Sequence, residues 1–147
     1  MKKLFLFGLV CLLSHAVYAA NITIRNDTQC DILIEIQAQQ AGYPCNIYQQ
    51  VPVTLHPNSS VVYFDFSSVA WQSPPPAILP ANQIWDVVKF GFVNPETECD
   101  ASGNVGVPTF GWSYTWSSAA CSCYGKTVYA KWSVSAATGD VEVVFYN

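Results

Sequence analysis

An apolar–polar alternation with a period of two residues returns along most of this chain, and it constrains the fold more than any other feature. Successive side chains of a strand point to opposite faces, so such alternation buries one face and wets the other. Ile22 and Ile24 alternate with Asn21, Thr23 and Arg25. After the turn formers Asn26-Asp27-Thr28-Gln29, residues Ile32, Ile34, Ile36 and Ala38 share one face, opposite Asp31, Glu35 and Gln37. Val51, Val53 and Leu55 repeat the pattern, and Val62, Phe64 and Phe66 predict the strand that returns from His56-Pro57-Asn58-Ser59. Proline fixes φ in that turn and asparagine tolerates the left-handed region. Residues 84–93 are apolar on both faces apart from Asp86 and Lys89, which predicts a central strand covered on both sides. Val128, Ala130, Trp132, Val134 and Ala136 face one way, Thr138-Gly139-Asp140 turns the chain, and Val141, Val143 and Phe145 come back. No segment holds a helical period over three turns, and residues 67–72 predict a single helical turn. About seven or eight short strands with Pro, Gly and Asn turns predict an all-β chain, a single antiparallel β-sandwich of the immunoglobulin or jelly-roll type.

The first residues follow a different rule. Lys2 and Lys3 precede an uncharged apolar run at 4–13, and Val17-Tyr18-Ala19 supplies permissive residues at a cleavage site. This reads as a secretory signal peptide cleaved after Ala19, leaving residues 20–147 as the sandwich domain. The apolar run is shorter than the roughly 20 residues that cross a bilayer, and no later stretch is long enough. The mature chain is therefore expected outside the cytoplasm: secreted, periplasmic or at the cell surface, with no membrane span. Cleavage removes two lysines and no acid, which takes the net charge from −4 to −6. An acidic chain without a basic tract argues against nucleic acid as a partner.

Five cysteines follow the cleavage site: Cys30, Cys45, Cys99, Cys121 and Cys123. In an exported chain they are disulfide candidates. An odd number leaves one over, free or bridged to a second molecule. Cys30 with Cys45 is disfavoured, because the strand between them carries the chain roughly 26 Å, and the seven residues that return retrace at most about 24 Å. Cys99 closes more easily with Cys121 or Cys123. Cys121-Ser122-Cys123 lacks the usual two-residue gap of a zinc pair and has no histidine near it in sequence, so no metal and no cofactor are expected.

Catalytic sets are sparse. His56 is the one histidine after residue 19, and it sits in a turn, so a Ser/His/acid site has little to build on. There is no Gly-rich phosphate loop, no H-E-x-x-H and no G-x-S-x-G. Glu96, Glu98 and Asp100 alternate in a stretch without strand pattern, which leaves a small carboxylate hydrolase as one alternative and a weak calcium-loop echo as another. Asn21, Asn26 and Asn58 each open an N-glycosylation pattern and read here as turn chemistry.

Aromatic residues make up 14% of the chain, enough to dominate either a core or a surface. Phe110, Trp112, Tyr114 and Trp116 occupy every second position, with small residues between. On one extended strand their rings stand about 6.8 Å apart on one face. That face is either core or a platform on which a sugar ring stacks. Trp71 lies beside Pro74-Pro75-Pro76 in a second stretch without strand pattern. Trp71, Trp112, Tyr114 and Trp116 are accordingly the candidate ligand-binding residues, with capping of the core as their bland alternative. ITIRNDTQCDILIEI resembles the opening of thaumatin-like proteins over fewer than twenty residues, without that family's dense cysteines. VEVVFYN resembles the last strand of chaperone–usher pilin subunits, which pair an N-terminal arm with a neighbour's groove. The reading is a small secreted non-catalytic β-sandwich that binds an extracellular glycan or protein. A structural, pilin-like subunit of a surface assembly is the runner-up.

Overall fold

The computed structural model describes residues 20–40, 43–72, 83–93, 101–120 and 122–147. Residues 1–19, which were read as a signal peptide, the proline triplet, Glu96, Glu98, Cys99, Asp100 and Cys121 lie outside the described residues. Among the described residues ten strands run in chain order: β1 (Ile22–Asn26), β2 (Ile32–Gln40), β3 (Tyr43–Gln49), β4 (Val53–Leu55), β5 (Ser59–Tyr63), β6 (Gln83–Phe92), β7 (Ser102–Gly106), β8 (Thr115–Ser117), β9 (Tyr129–Val134) and β10 (Val141–Tyr146). They form two sheets packed face to face. The first has the order β5-β1-β10-β9-β8, and the second β3-β2-β6-β7, with β4 also on β2. The β-sandwich expected from alternation is what the chain forms. It has more strands than the seven or eight expected, and β1 pairs with β10 in parallel, so it is not wholly antiparallel. Among the described residues no helix is long and apolar enough to cross a membrane.

The alternation places the core where it was read. Ile22, Ile24, Ile32, Ile34, Ile36 and Ala38 are fully shut off from solvent, and Phe90, Trp132, Val143 and Phe145 meet them from the neighbouring strands. In the last hairpin Trp132 pairs with Val143 and Ala130 with Phe145. β6 lies between β2 and β7 and is buried along both faces for much of its length, as its apolar run implied. A bulge interrupts it: Gln37 pairs with Val87 and Ala38 with Trp85, so Asp86 has no partner opposite on β2. A bulge shifts the side-chain parity. Below it Gln83 and Trp85 point inward, and above it Val88, Phe90 and Phe92 do.

Two expectations are corrected. The turn after Leu55 does not close a hairpin. β4 pairs with β2 in one sheet and β5 with β1 in the other, so residues 56–58 carry the chain across the sandwich. Asn58 takes the left-handed conformation at φ 53°. The face of the returning strand is also reversed. Tyr63 is buried and Val61 packs on the core, while Val62 and Phe64 face solvent, Phe64 at 68% exposure. Phe66 does reach the core, but from a 3-10 turn (Phe66–Ser68) capped by the Asp65 carboxylate, which overlaps only the start of the helical turn expected at 67–72.

Cys30 is bonded to Cys123, with their Cα atoms 5.7 Å apart and a sequence separation of 93. Cys30 is therefore not joined to Cys45, as the reach argument held. Cys123 is not available to Cys99, contrary to one of the two closures favoured above. The loop before β2 and the loop before β9 meet at the same end of the sandwich, a cross-sheet proximity that spacing along the chain does not encode.

Candidate functional site

The aromatic run at 110–116 does not form one strand. Pro108 opens a 3-10 turn (Pro108–Phe110) and Gly111 closes it at φ 91°, so pairing as β8 begins only at Thr115. The four rings consequently serve different surroundings. Trp116 turns into the sandwich, edge-on to Phe90 at 4.9 Å between ring centroids. The Trp112 indole N–H donates to Asp86 Oδ1 at 3.0 Å, covering the bulge. Tyr114 is exposed, and its backbone carbonyl accepts from Trp132. Trp71 donates from Nε1 to the Phe66 carbonyl at 2.9 Å and stands edge-on to Tyr48. Three of the four residues expected to bind ligand are thus tied to the scaffold, and Tyr114 alone of them is largely open to solvent.

Asp86 is nearly closed off from solvent at the bulge. Burial raises its carboxyl above the usual carboxylate range, against the opposing pull of the Trp112 hydrogen bond and of Lys89.

A cleft of about 990 Å³ opens between the sheets at the end away from the disulfide. The starts of β1, β6 and β10 meet there with the end of β9, and Phe64 and Phe66 roof it. Its walls are mainly aromatic and aliphatic: Phe66, Trp85, Val107, Phe110, Trp132 and Val134. Phe66 and Trp85 pack with ring centroids 4.2 Å apart, and the Trp85 indole donates to the Ala20 carbonyl. Among the described residues Asp140 is the only charged side chain in the lining. It is held by the Asn21 backbone N–H on Oδ1 and the Thr138 hydroxyl on Oδ2.

Two lining residues carry buried polar atoms with no hydrogen-bond partner. Gln83 is 3% exposed with both its amide nitrogen and oxygen unpaired, and Trp132 is 2% exposed with Nε1 unpaired. An unpaired buried amide or indole N–H costs about 1–3 kcal/mol. Neither residue stood out in the sequence. Gln83 begins β6 at an inward parity, so an amide there, followed by Trp85 on the same face, was the available signal.

A second aromatic feature lies on the outer face of the five-stranded sheet. Tyr129 and Tyr146 pair across β9 and β10 and stack at 5.5 Å, 42% and 41% exposed. Lys131 lies two residues along β9 on the same face. Outward positions of the last hairpin carry both tyrosines, so cross-strand pairing was the signal that finds them.

His56 and Asp31 form an exposed pair, Nδ1 to Oδ1 at 2.7 Å. The nearby Ser59 hydroxyl donates to the His56 carbonyl and not to its ring, so the three residues do not make a nucleophilic relay. Among the described residues no three His, Cys, Asp or Glu side chains gather as metal ligands. Comparison of the chain with protein-family models, with curated proteins and with solved structures returned no match.

Proposed function

We propose that the chain is an exported, non-catalytic binding module that receives its ligand in the cleft at the open end of the sandwich. One observation carries the reading: a cleft at the upper end of the usual ligand-pocket range, about 300–1,000 Å³, with aromatic walls and a few unpaired polar atoms. Ligand sites have that composition because apolar walls supply binding energy and sparse polar groups fix orientation. Export is supported by Lys2, Lys3 and the apolar run behind them, together with the Cys30–Cys123 bond. Titrating the protein with short peptides and with oligosaccharides while following tryptophan emission tests the site. A cleft ligand changes the emission of Trp85 and Trp132 saturably, and Trp85→Phe reduces the change. Flat titrations with every probe to millimolar concentration overturn the reading.

The stacked Tyr129 and Tyr146 favour a second reading, in which a glycan lies on the flat outer face with sugar rings against exposed phenol rings. No tryptophan is on that face of β9 or β10. Such a ligand would be lost in Tyr129→Ala and would leave the cleft tryptophans undisturbed.

A further inference from the structure

We infer that the cleft takes a peptide segment that presents an apolar side chain, a backbone amide and a cationic group. The inference rests on the cleft being the ligand site, and it comes from matching each part of the lining to the chemistry it would satisfy. Gln83 carries a donor and an acceptor side by side, both unpaired and, like Trp132 Nε1, sealed from water until a ligand displaces the side chains over them. A peptide group carries the complementary acceptor and donor. The unpaired Trp132 Nε1 adds one donor for a second carbonyl. A purely apolar ligand would leave all three atoms unpaired and recover none of their cost. A sugar fails for the converse reason. Most of the wall is Phe66, Trp85, Val107, Phe110 and Val134, which would strip water from hydroxyls without replacing their hydrogen bonds.

Charge selects further. Among the described residues Asp140 is the only ionisable carboxylate in the lining, and no lysine, arginine or histidine of them lines the cleft. Arg25 is committed elsewhere, to Asp27 and Glu142 on the outer face of the first sheet. Asp140 Oδ1 accepts one hydrogen bond from the Asn21 backbone N–H and Oδ2 one from the Thr138 hydroxyl, and both oxygens keep acceptor capacity for a third donor. An ammonium or guanidinium meets a fixed carboxylate beside aromatic rings, which favour cations on their faces. An acidic ligand meets only repulsion, from Asp140 and from a chain whose acids outnumber its bases.

The test uses the exported protein and three acetylated, amidated tripeptides, Leu-Phe-Lys, Leu-Phe-Gln and Leu-Phe-Glu, with cellohexaose as the glycan probe. Calorimetry is expected to rank lysine above glutamine above glutamate, with about tenfold between the extremes at low salt and less at high salt. Gln83→Leu weakens all three peptides and keeps their order. Asp140→Asn levels the order and keeps binding of the glutamine peptide. Asp140 also holds the turn at Thr138, so the salt-sensitive ranking on the unaltered protein decides the point even if that variant does not fold. Equal binding of the three peptides, or tightest binding of the glutamate peptide, overturns the inference. Cellohexaose shifting the emission of Trp85 and Trp132 while no peptide does also overturns it, yet leaves the cleft as the ligand site. Silence from every probe overturns both.

Discussion

Among the described residues Asn26 is the most heavily committed side chain. It is fully buried at the end of β1, where its amide nitrogen reaches the carbonyls of Cys30, Leu55 and His56. Its oxygen accepts from the Thr28 N–H and hydroxyl. One side chain therefore supplies the partners that two irregular loops cannot find in a ladder. Asn26→Ala strands several of these groups at once and is expected to cost on the order of 3 kcal/mol in urea unfolding. A loss below about 1 kcal/mol would mean that water replaces the amide. Asp86 has the opposite character, a carboxylate that the fold tolerates at a cost. Burial raises its folded pKa above the unfolded value near ~3.9. Its contribution to stability is therefore fully present below the unfolded value and is lost as pH rises through the folded one. Asp86→Asn keeps an oxygen for the Trp112 indole and removes the charge. The variant is expected to be more stable than the parent at pH 7, with an advantage that shrinks towards pH 4. Urea melts across that range check it, and an advantage that does not vary with pH would refute the assignment.

At the level of elements, the edge of the sandwich at β7 and β8 is closed by a ring lying over a glycine. A Cβ placed on Gly103 would fall 2.5 Å from the Trp116 ring and 2.8 Å from that of Phe90. Gly103 thus makes room for Trp116 to reach the core from the short strand β8. Gly103→Ala is expected to destabilise by about 1–3 kcal/mol through overpacking, and to cost much less when Trp116 is already alanine. A double-mutant cycle by chemical denaturation measures that coupling, and additivity would show the ring is not what the methyl meets. The same elements show which parts of the fold could be read from the chain. Alternation located β1 and the β9–β10 hairpin because each has one buried and one wet face, and β2 because one of its faces is apolar throughout, although Gln37 and Gln39 on the other face are buried as well. β5 was read on the wrong face because Val61, Val62, Tyr63 and Phe64 are all apolar, so alternation cannot choose between the parities. Nor does a Pro-Asn turn distinguish a hairpin from a crossing between sheets, since local backbone needs are alike in both. The break in the aromatic run was legible in Pro108 and Gly111, which mark a turn, but the period-two spacing of the rings outweighed it. Of the site, Trp85, Trp132, Val134, Asp140 and Val141 lay in strands or turns already read, and Gln83 did not. Their convergence with Gln83 depends on how two sheets face each other, and no spacing along the chain specifies that.

Across the whole molecule the two ends of the sandwich are built differently. At one end Cys30–Cys123, Asn26 and the crossing turn at 56–58 join both sheets by a covalent bond and a buried hydrogen-bond hub. At the other the sheets part around the cleft, and buried polar atoms of Gln83 and Trp132 go unpaired. On the proposed reading the first end supplies cohesion and the second receives the ligand, which separates stability from binding in space. The bond also leaves an odd number of other cysteines beyond residue 19, namely Cys45, Cys99 and Cys121, so a monomer cleaved after Ala19 retains at least one thiol. The Cys30–Cys123 closure spans most of the domain, and loop entropy for a closure of that length stabilises by on the order of 4 kcal/mol. Cys30→Ser with Cys123→Ser is therefore expected to lower the urea midpoint by a comparable free energy. Because the bond lies far from the cleft, the paired variant that remains folded should bind cleft probes with unchanged affinity. Equilibrium unfolding and tryptophan titration of the same preparation check both halves. A paired variant that loses cleft binding while its near-ultraviolet spectrum stays native would show that the two ends are coupled, and that closure at Cys30–Cys123 sets the distance between the sheets at the cleft.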